Sequence, residues 1–586
     1  SSSRWWQKSE SGMRITITTL AKSVIAPSLL TFYRASSFIV KPISTLRVSN
    51  FLGTCYSTSP INMMGNSNSD ETTTTKEFSV LSWNIAAVNN NPFEYWISHD
   101  DEAYNKMMAD VQNFIDSPGD LDIPISEVLT PERFAELKEL MAAQGWSGVD
   151  ETEQQYESNY KNRKIIAEFI KDKDIGKKRL ASMPDRITNT INTVDQGTIC
   201  RPTVINVYEE RMDNLDQWWD QWKDFFFNRT VTLKGKRGDE TKKVCEMLSP
   251  ITAAKYPAIT PEEEAISIPL QTMCQAIFDG VMVHMLNTVA PGVWHGLKLQ
   301  LCEALNKQKN RRTFEILEGE YRGTDVLFLQ ECAAAFVAEA QGRALGERYD
   351  ILTPAQMDSK RDQNSVIFVR KGLFDVASAV EITADVAAQF PDKCPVAPGD
   401  LFAVMLKDTK NGLDHVLASF HGDTNGLATV PVVAALHAEL WRRGCPRLVF
   451  GLDANTYERG GAGTGLQDVT EFAQSFVAHG LTSCFGDEPD PSNYTTFNAR
   501  TYLQPQLNKA VKKEDKAEKG DINPKDFILF YKRHYVAVNT TKDNTGTRVY
   551  IENMVFPTLQ FPSDHGVLSC NLVLAQPPES SEEKAS

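Results

Sequence analysis

The chain is 586 residues long, more than one hydrophobic core normally serves, so at least two folding units are expected. Hydrophobic residues make up 41% and charged residues 23%, which excludes a disordered or fibrous chain. The net charge of −15 lacks the basic surplus of proteins that grip a nucleic-acid backbone, and puts a small phosphorylated substrate at least level with a polynucleotide.

Residues 1–75 read as a leader. Before Asp70 the only acid is Glu10, whereas Arg14, Lys22, Arg34, Lys41 and Arg47 punctuate a Ser/Thr-rich stretch. That is the composition of an organelle transit peptide, with an unstructured terminus as the alternative. The first reading sends the protein to a mitochondrion or plastid; the second leaves it cytoplasmic. The first residue is not Met, and a start at Met64 would expose Met-Gly-Asn-Ser-Asn-Ser, a short myristoylation pattern.

Phe78–Trp83 has the alternation of a strand and ends at Asn84. Residues 93–319 then change to helical periods, as in Pro131–Ala143, Tyr160–Asp172 and Asn214–Phe227. Within them Lys177, Lys178, Arg179 and Arg186 lie near a helix break; a solvated face is the ordinary reading, and contact with a substrate phosphate through Lys177 and Arg186 is the alternative. Trp218, Trp219 and Trp222, at near-helical spacing, are expected in a core. The most apolar stretch, Leu270–Leu297, contains Asp279, His284 and His295 and reads as a core helix followed by a turn, so no transmembrane segment is expected.

Strand character returns at Asp325–Gln330, Ser365–Val369, Phe402–Leu406, Val416–Phe420, Arg447–Phe450, Phe527–Tyr531 and Val567–Leu574. Val430–Arg443 is a helix between two of them, with Pro431 near its first turn. Asn508–Lys525 is a Lys-rich loop, and residues 576–586 are a Pro/Ser/Glu-rich tail. The ten cysteines form no CxxC pair and read as reduced, mostly buried thiols. The glycine-rich run Gly460–Gly465 lacks the lysine of a phosphate-binding loop and reads as a rim loop.

The informative pattern is what stands at the strand ends. Asn84 closes the first strand, Glu331 the second and His421 a third; Asp453 and Asn455 follow a fourth, Asp526 opens a fifth, and Asp564 and His565 precede the last. Strand ends are rigid platforms, and side chains there can converge on one edge of a sheet. Phosphoester chemistry needs such a set: oxygen ligands for Mg²⁺, imidazoles to meet spreading negative charge, and carboxylates to orient water and fix a histidine tautomer. Taken one at a time, each residue is a common turn former; Asp423 and Asn425, in Asp-x-Asn-Gly, are expected to be just that.

In order, W-N, L-Q-E, F-H, G-x-D-x-N, D-F-I and S-D-H resemble the endonuclease/exonuclease/phosphatase superfamily, over Glu77–Ala87 and about Tyr321–Leu574. The resemblance implies a four-layered α/β sandwich, two packed, mostly antiparallel sheets flanked by helices. It also implies Mg²⁺, with Mn²⁺ as an alternative, held by Asn84 and Glu331 directly or through water. Asp453 and Asn455 would orient water and contact phosphate, His421 and His565 would bind phosphate and share proton transfer, and Asp526 and Asp564 would tune them. One residue more than usual separates Gly451 from Asp453. Glu331 follows Asn84 by about 245 residues, so residues 76–92 and 320–575 would form one discontinuous catalytic domain, interrupted by a helical insertion at 93–319. That insertion is expected as a lid or side domain near the site. Arg500 and Lys509 are weaker candidates for substrate binding. The function implied is hydrolysis of a phosphomonoester or phosphodiester in a small molecule, lipid headgroup or nucleic acid; the Pro-x-Trp-Cys-Asp-Arg motif of inositol polyphosphate 5-phosphatases is absent. The alternative is a catalytically weak scaffold that binds a protein through its insertion. The oligomeric state is not legible.

Overall fold

The computed structural model describes residues 76–235, 238–357, 361–503 and 520–576. The leader, the tail from 577 onward and Lys509 lie outside the described residues. Two six-stranded mixed sheets form one half of the protein. The first runs in the order Tyr535–Asp543, Val567–Leu574, Lys76–Asn84, Val326–Cys332, Asn364–Arg370, Tyr349–Leu352. The second runs Leu481–Ser483, Asp526–Tyr531, Arg447–Asp453, Asp414–His421, Leu401–Asp408, Phe374–Glu381.

Period-two alternation builds three cores from these strands. Val326 and Phe328 face the second sheet and pack with Val80, Phe402, Leu417, Val449 and Ile528 between the sheets. Leu327 and Leu329 face the other way, onto Phe314, Leu317 and Phe336 of the helices Lys309–Glu318 and Ala334–Gln341. On the far side of the second sheet, Ala418, Phe450 and Phe527 pack with Val432, Leu436 and Phe472 of the helices Thr429–Arg442 and Val469–Ala478. The sheets approach closely at Gly451, where an added Cβ would stand 2.4 Å from the Phe328 side chain. Only glycine fits there, which accounts for the glycine two residues before Asp453.

Each sheet contains one parallel pair, and these pairs position the site. Lys76–Asn84 runs parallel to Val326–Cys332, bringing Asn84 opposite Gln330; Asp414–His421 runs parallel to Arg447–Asp453, bringing His421 opposite Asp453. A parallel pair places both carboxyl ends at one edge, and its strands must be joined by a crossover. In the second sheet the crossover is the helix Thr429–Arg442; in the first it is the long segment of helical periods.

That segment has its own core, built on the buried helix Ser267–Val289, on Trp218, Trp219 and Trp222, and on Phe225–Phe227. It also contains two hairpins, Thr190–Asn192 with Thr198–Cys200 and Thr230–Gly235 with Gly238–Lys243. Among the described residues no single helix is long and apolar enough to cross a membrane. At its heart Arg201, fully buried, donates to Asp279, Asp185 and Thr188. The helix expected across Tyr160–Asp172 is broken: Lys164 is extended and bridges to Pro124, while Ile166 N–H and Ala167 N–H donate to Asp122. These tertiary bonds override the helical period.

Packing also redraws the boundary expected at 319/320. Phe314, Leu317 and Tyr321 belong to the core of the first sheet, whereas Tyr502 and Leu503 belong to the helical core. The chain crosses between the two cores twice more than a simple insertion requires. Phe93–Trp96 pairs with 499–501 through Trp96 N–H to the Ala499 carbonyl (2.9 Å) and Thr501 N–H to the Glu94 carbonyl (3.0 Å).

Candidate functional site

Register accounts for the convergence of the strand-end residues. His421, Asp453 and Asp526 are consecutive cross-strand partners on the second sheet, and Asn84 and Glu331 stand at the facing edge of the first. Asp453 Oδ2 is the common point: Asn84 Nδ2 donates to it at 2.9 Å, and the Nε2 atoms of His421 and His565 lie 3.7 and 3.6 Å away. Asn84 Nδ2 also donates to Glu331 Oε1 at 3.1 Å, and Ala87 N–H donates to Glu331 Oε2 at 2.7 Å. Glu331 and Asn455 both adopt left-handed backbone, φ 56° and 50°, a conformation costly for non-glycine residues and common where function dictates geometry.

Asp526 accepts from His565 Nδ1 at 2.9 Å, which turns Nε2 toward Asp453. Burial opposes the charged ring, but the Asp526 and Asp453 carboxylates outweigh it and hold His565 well above its ordinary pKa. Burial likewise penalises the Asp453 carboxylate, yet His565, His421 and Lys525 together keep it below the usual range. Asp526 is raised, chiefly by burial. Asp453, Asp526 and His565 place ligand atoms within 4.8 Å of one another, close enough to hold a cation. Glu331, at the edge of the same cluster, also fits a metal. Its carboxylate is only partly buried and lines a cavity, and a single hard oxygen donor completed by waters suits Mg²⁺.

Three of the expected residues have these partners. Asn84 turns its amide nitrogen toward both carboxylates, and its Oδ1 accepts from Ala86 N–H at 2.9 Å. Asn455 is held from two sides: Nδ2 donates to the Gly422 carbonyl, and Oδ1 accepts from Lys525 Nζ at 2.8 Å. It orients Asp453 through its own N–H, 2.9 Å from Oδ1. Asp564 acts on His565 through its charge, which helps to raise the His565 pKa, while its carboxylate accepts from the Tyr95 hydroxyl at 3.0 Å and lines the cavity. Asp423 and Asn425 form a turn, with Asn425 and Ala428 N–H donating to the Asp423 carboxylate.

The cavity, about 340 Å³, has Glu331 and Asp564 in its wall together with Asn89, Tyr95, Leu305, Lys309 and Arg500. Lys177 and Arg186 do not line it; Lys177 pairs with Asp174 at 3.1 Å on an exposed face, and Arg186 is exposed. Three contributors escaped the sequence. Lys525, buried, is kept charged against desolvation by Asp521, Tyr457 and Asp453; its place directly before Asp526 was the available signal. Lys309 donates to the carbonyls of Ile85 (2.9 Å) and Pro562 (2.6 Å), and burial brings its pKa down to about 8. Neither its helix nor the loop carrying Tyr95 announces an active site.

Residues 122–299 match a family described as a domain of unknown function (DUF8234). No curated protein matches. Among solved structures the chain is similar to an endonuclease/exonuclease/phosphatase from Bacteroides vulgatus, with 13% identity over 47% of this chain and 94% of that one, at a TM-score of 0.31. It is similar to the human Nocturnin catalytic domain with bound sulfate (15%, 47% and 89%, TM-score 0.32). It is also similar to D. rerio TDP2 complexed with single strand DNA product (14%, 45% and 90%, TM-score 0.29). At these identities and TM-scores the likenesses carry no inference about activity. The two facing mixed sheets, flanked by helices, make this a layered α/β fold with the expected residues standing at its strand ends.

Proposed function

We propose that the protein is a divalent-metal-assisted phosphoesterase that hydrolyses its ester with water. The observation that carries this reading is Asp453 Oδ2, shared by one amide and two imidazoles from both sheets. A scaffold has no need to bury such a concentration of charge, whereas phosphoryl transfer does. Asp453 stays ionised and can align a water and accept its proton. His565, held charged with Asp526 behind it, and His421 face the non-bridging oxygens. The water oxygen bonds to phosphorus, the bond from phosphorus to the ester oxygen breaks, and the leaving oxygen takes up a proton. A metal at Glu331 would supply further neutralisation of the phosphate charge. Asn84, Asn455, Asp526 and Lys525 are positioning residues.

Glu331→Gln tests the metal role. A panel of phosphomonoesters and phosphodiesters with Mg²⁺, Mn²⁺ or EDTA should show turnover only with metal, and the variant should lose it. Undiminished turnover by the folded variant in EDTA overturns the reading.

A further inference from the structure

We propose that the cavity beside Glu331 is the subsite for the part of the substrate beyond the scissile phosphate, and that it takes a small group carrying a second anion, bound by Arg500. This rests on the phosphoesterase reading and adds the substrate class.

Glu331 and Asp564 belong to both the cavity wall and the strand-end cluster, so a phosphate held by the cluster would have its ester substituent directed into the cavity. Its volume of about 340 Å³ is at the lower end of ligand pockets, roughly 300–1,000 Å³, which admits a nucleotide or sugar phosphate. The wall opposite Glu331 comes from the long crossover and from the strand segment paired with its start: Tyr95, Leu305, Lys309 and Arg500.

That wall carries two cations, Lys309 and Arg500, which face the carboxylates of Glu331 and Asp564 in the same lining. Lys309 has three N–H donors, and the carbonyls of Ile85 and Pro562 engage two of them. Arg500 has five; NH1 meets Glu94 at 3.0 Å, and the guanidinium lies over the Tyr95 ring, 5.5 Å from its centroid. Stacking on Tyr95 fixes the plane of the fork and leaves its other edge for a phosphate or carboxylate. Of the two acids in the wall, Asp564 is engaged by the Tyr95 hydroxyl and Glu331 is the residue assigned to metal. A ligand with one anion at the cluster and another at Arg500 matches this distribution; a neutral or cationic group does not.

The test uses the full chain with Mg²⁺ and a nucleoside 3′,5′-bisphosphate, a nucleoside 5′-monophosphate and 4-nitrophenyl phosphate as substrates, with inorganic phosphate as competitive inhibitor. Arg500→Gln should raise KM for the bisphosphate about tenfold while kcat and the KM of the monophosphate stay within about twofold. Leu305→Trp, which fills the cavity, should raise KM for both nucleotides and leave the inhibition constant of inorganic phosphate unchanged. Unchanged nucleotide KM values in both variants overturn the subsite, as does an equal shift in the inorganic phosphate constant. Wild-type protein that cleaves 4-nitrophenyl phosphate but neither nucleotide also overturns it. Wild-type protein inert toward all three overturns the phosphoesterase reading beneath it.

Discussion

Asp453 must keep its charge while buried, and its neighbours make that affordable only as a set: two imidazoles, Lys525 nearby and the Asn84 amide. Asp453→Asn preserves shape and removes the charge; kcat should fall by about 10²–10⁴-fold with the circular dichroism spectrum unchanged. A rate within tenfold of wild type would remove Asp453 from the chemistry. His565 gives the pH dependence. Its folded-state pKa is raised above the ordinary ~6.5, so its contribution to stability is complete below about pH 6.5 and is lost as the pH climbs through the raised value. Histidine-labelled NMR, with His565→Gln for assignment, should find the ring still protonated at pH 7.5; a ring that titrates at or below 6.5 contradicts the Asp526–His565 pair. These residues were legible because each closes or opens a strand within a short motif. What the motifs did not reveal was direction: the Asn84 amide donates to Glu331 and Asp453, and Asn455 is held by Gly422 and Lys525, all partners 33 or more residues away in the chain.

At the level of elements, the eight inner strands were legible because their buried apolar runs are local, and the crossover helix Thr429–Arg442 for the same reason; the four edge strands, Tyr349–Leu352, Phe374–Glu381, Leu481–Ser483 and Tyr535–Asp543, were not, because an edge strand has one neighbour and a less apolar pattern. Helix Lys309–Glu318 was counted with the insertion, since nothing in its own period says that Phe314 and Leu317 face the first sheet. Its first residue joins the exits of two strand-end motifs, through the carbonyls of Ile85 and Pro562. Lys309→Met keeps the length of the side chain and leaves both buried carbonyls without a donor, a loss of about 1–3 kcal/mol each. The melting temperature should drop by several degrees, and an unchanged value would show that water replaces the amine at no cost. Tyr160–Asp172 failed differently: its period is helical, but Asp122 and Pro124 offer the backbone better bonds elsewhere.

For the whole molecule, the acidic composition disfavours long duplexes, and the separation of Asn84 from Glu331 predicts the long segment of helical periods that builds a core of its own between them. How that segment is attached was not legible. It is fastened at its start by pairing of Phe93–Trp96 with 499–501, by Tyr502 and Leu503 sunk in its core, by Tyr502 Oη donating to Asp116, and at its end by the Lys309–Glu318 helix. Rigid-body opening would have to break all of these together. Binding of a nucleotide, followed by stopped-flow fluorescence, should therefore be a single exponential whose rate rises linearly with ligand concentration; a rate that saturates would reveal a closing step. The doubled attachment has a consequence for how turnover is timed. With this segment fastened at both ends, the residence of product depends on its contacts and on diffusion rather than on a swing of the segment as a rigid body, so viscosity should slow release of a tightly held product no more than it slows capture of substrate.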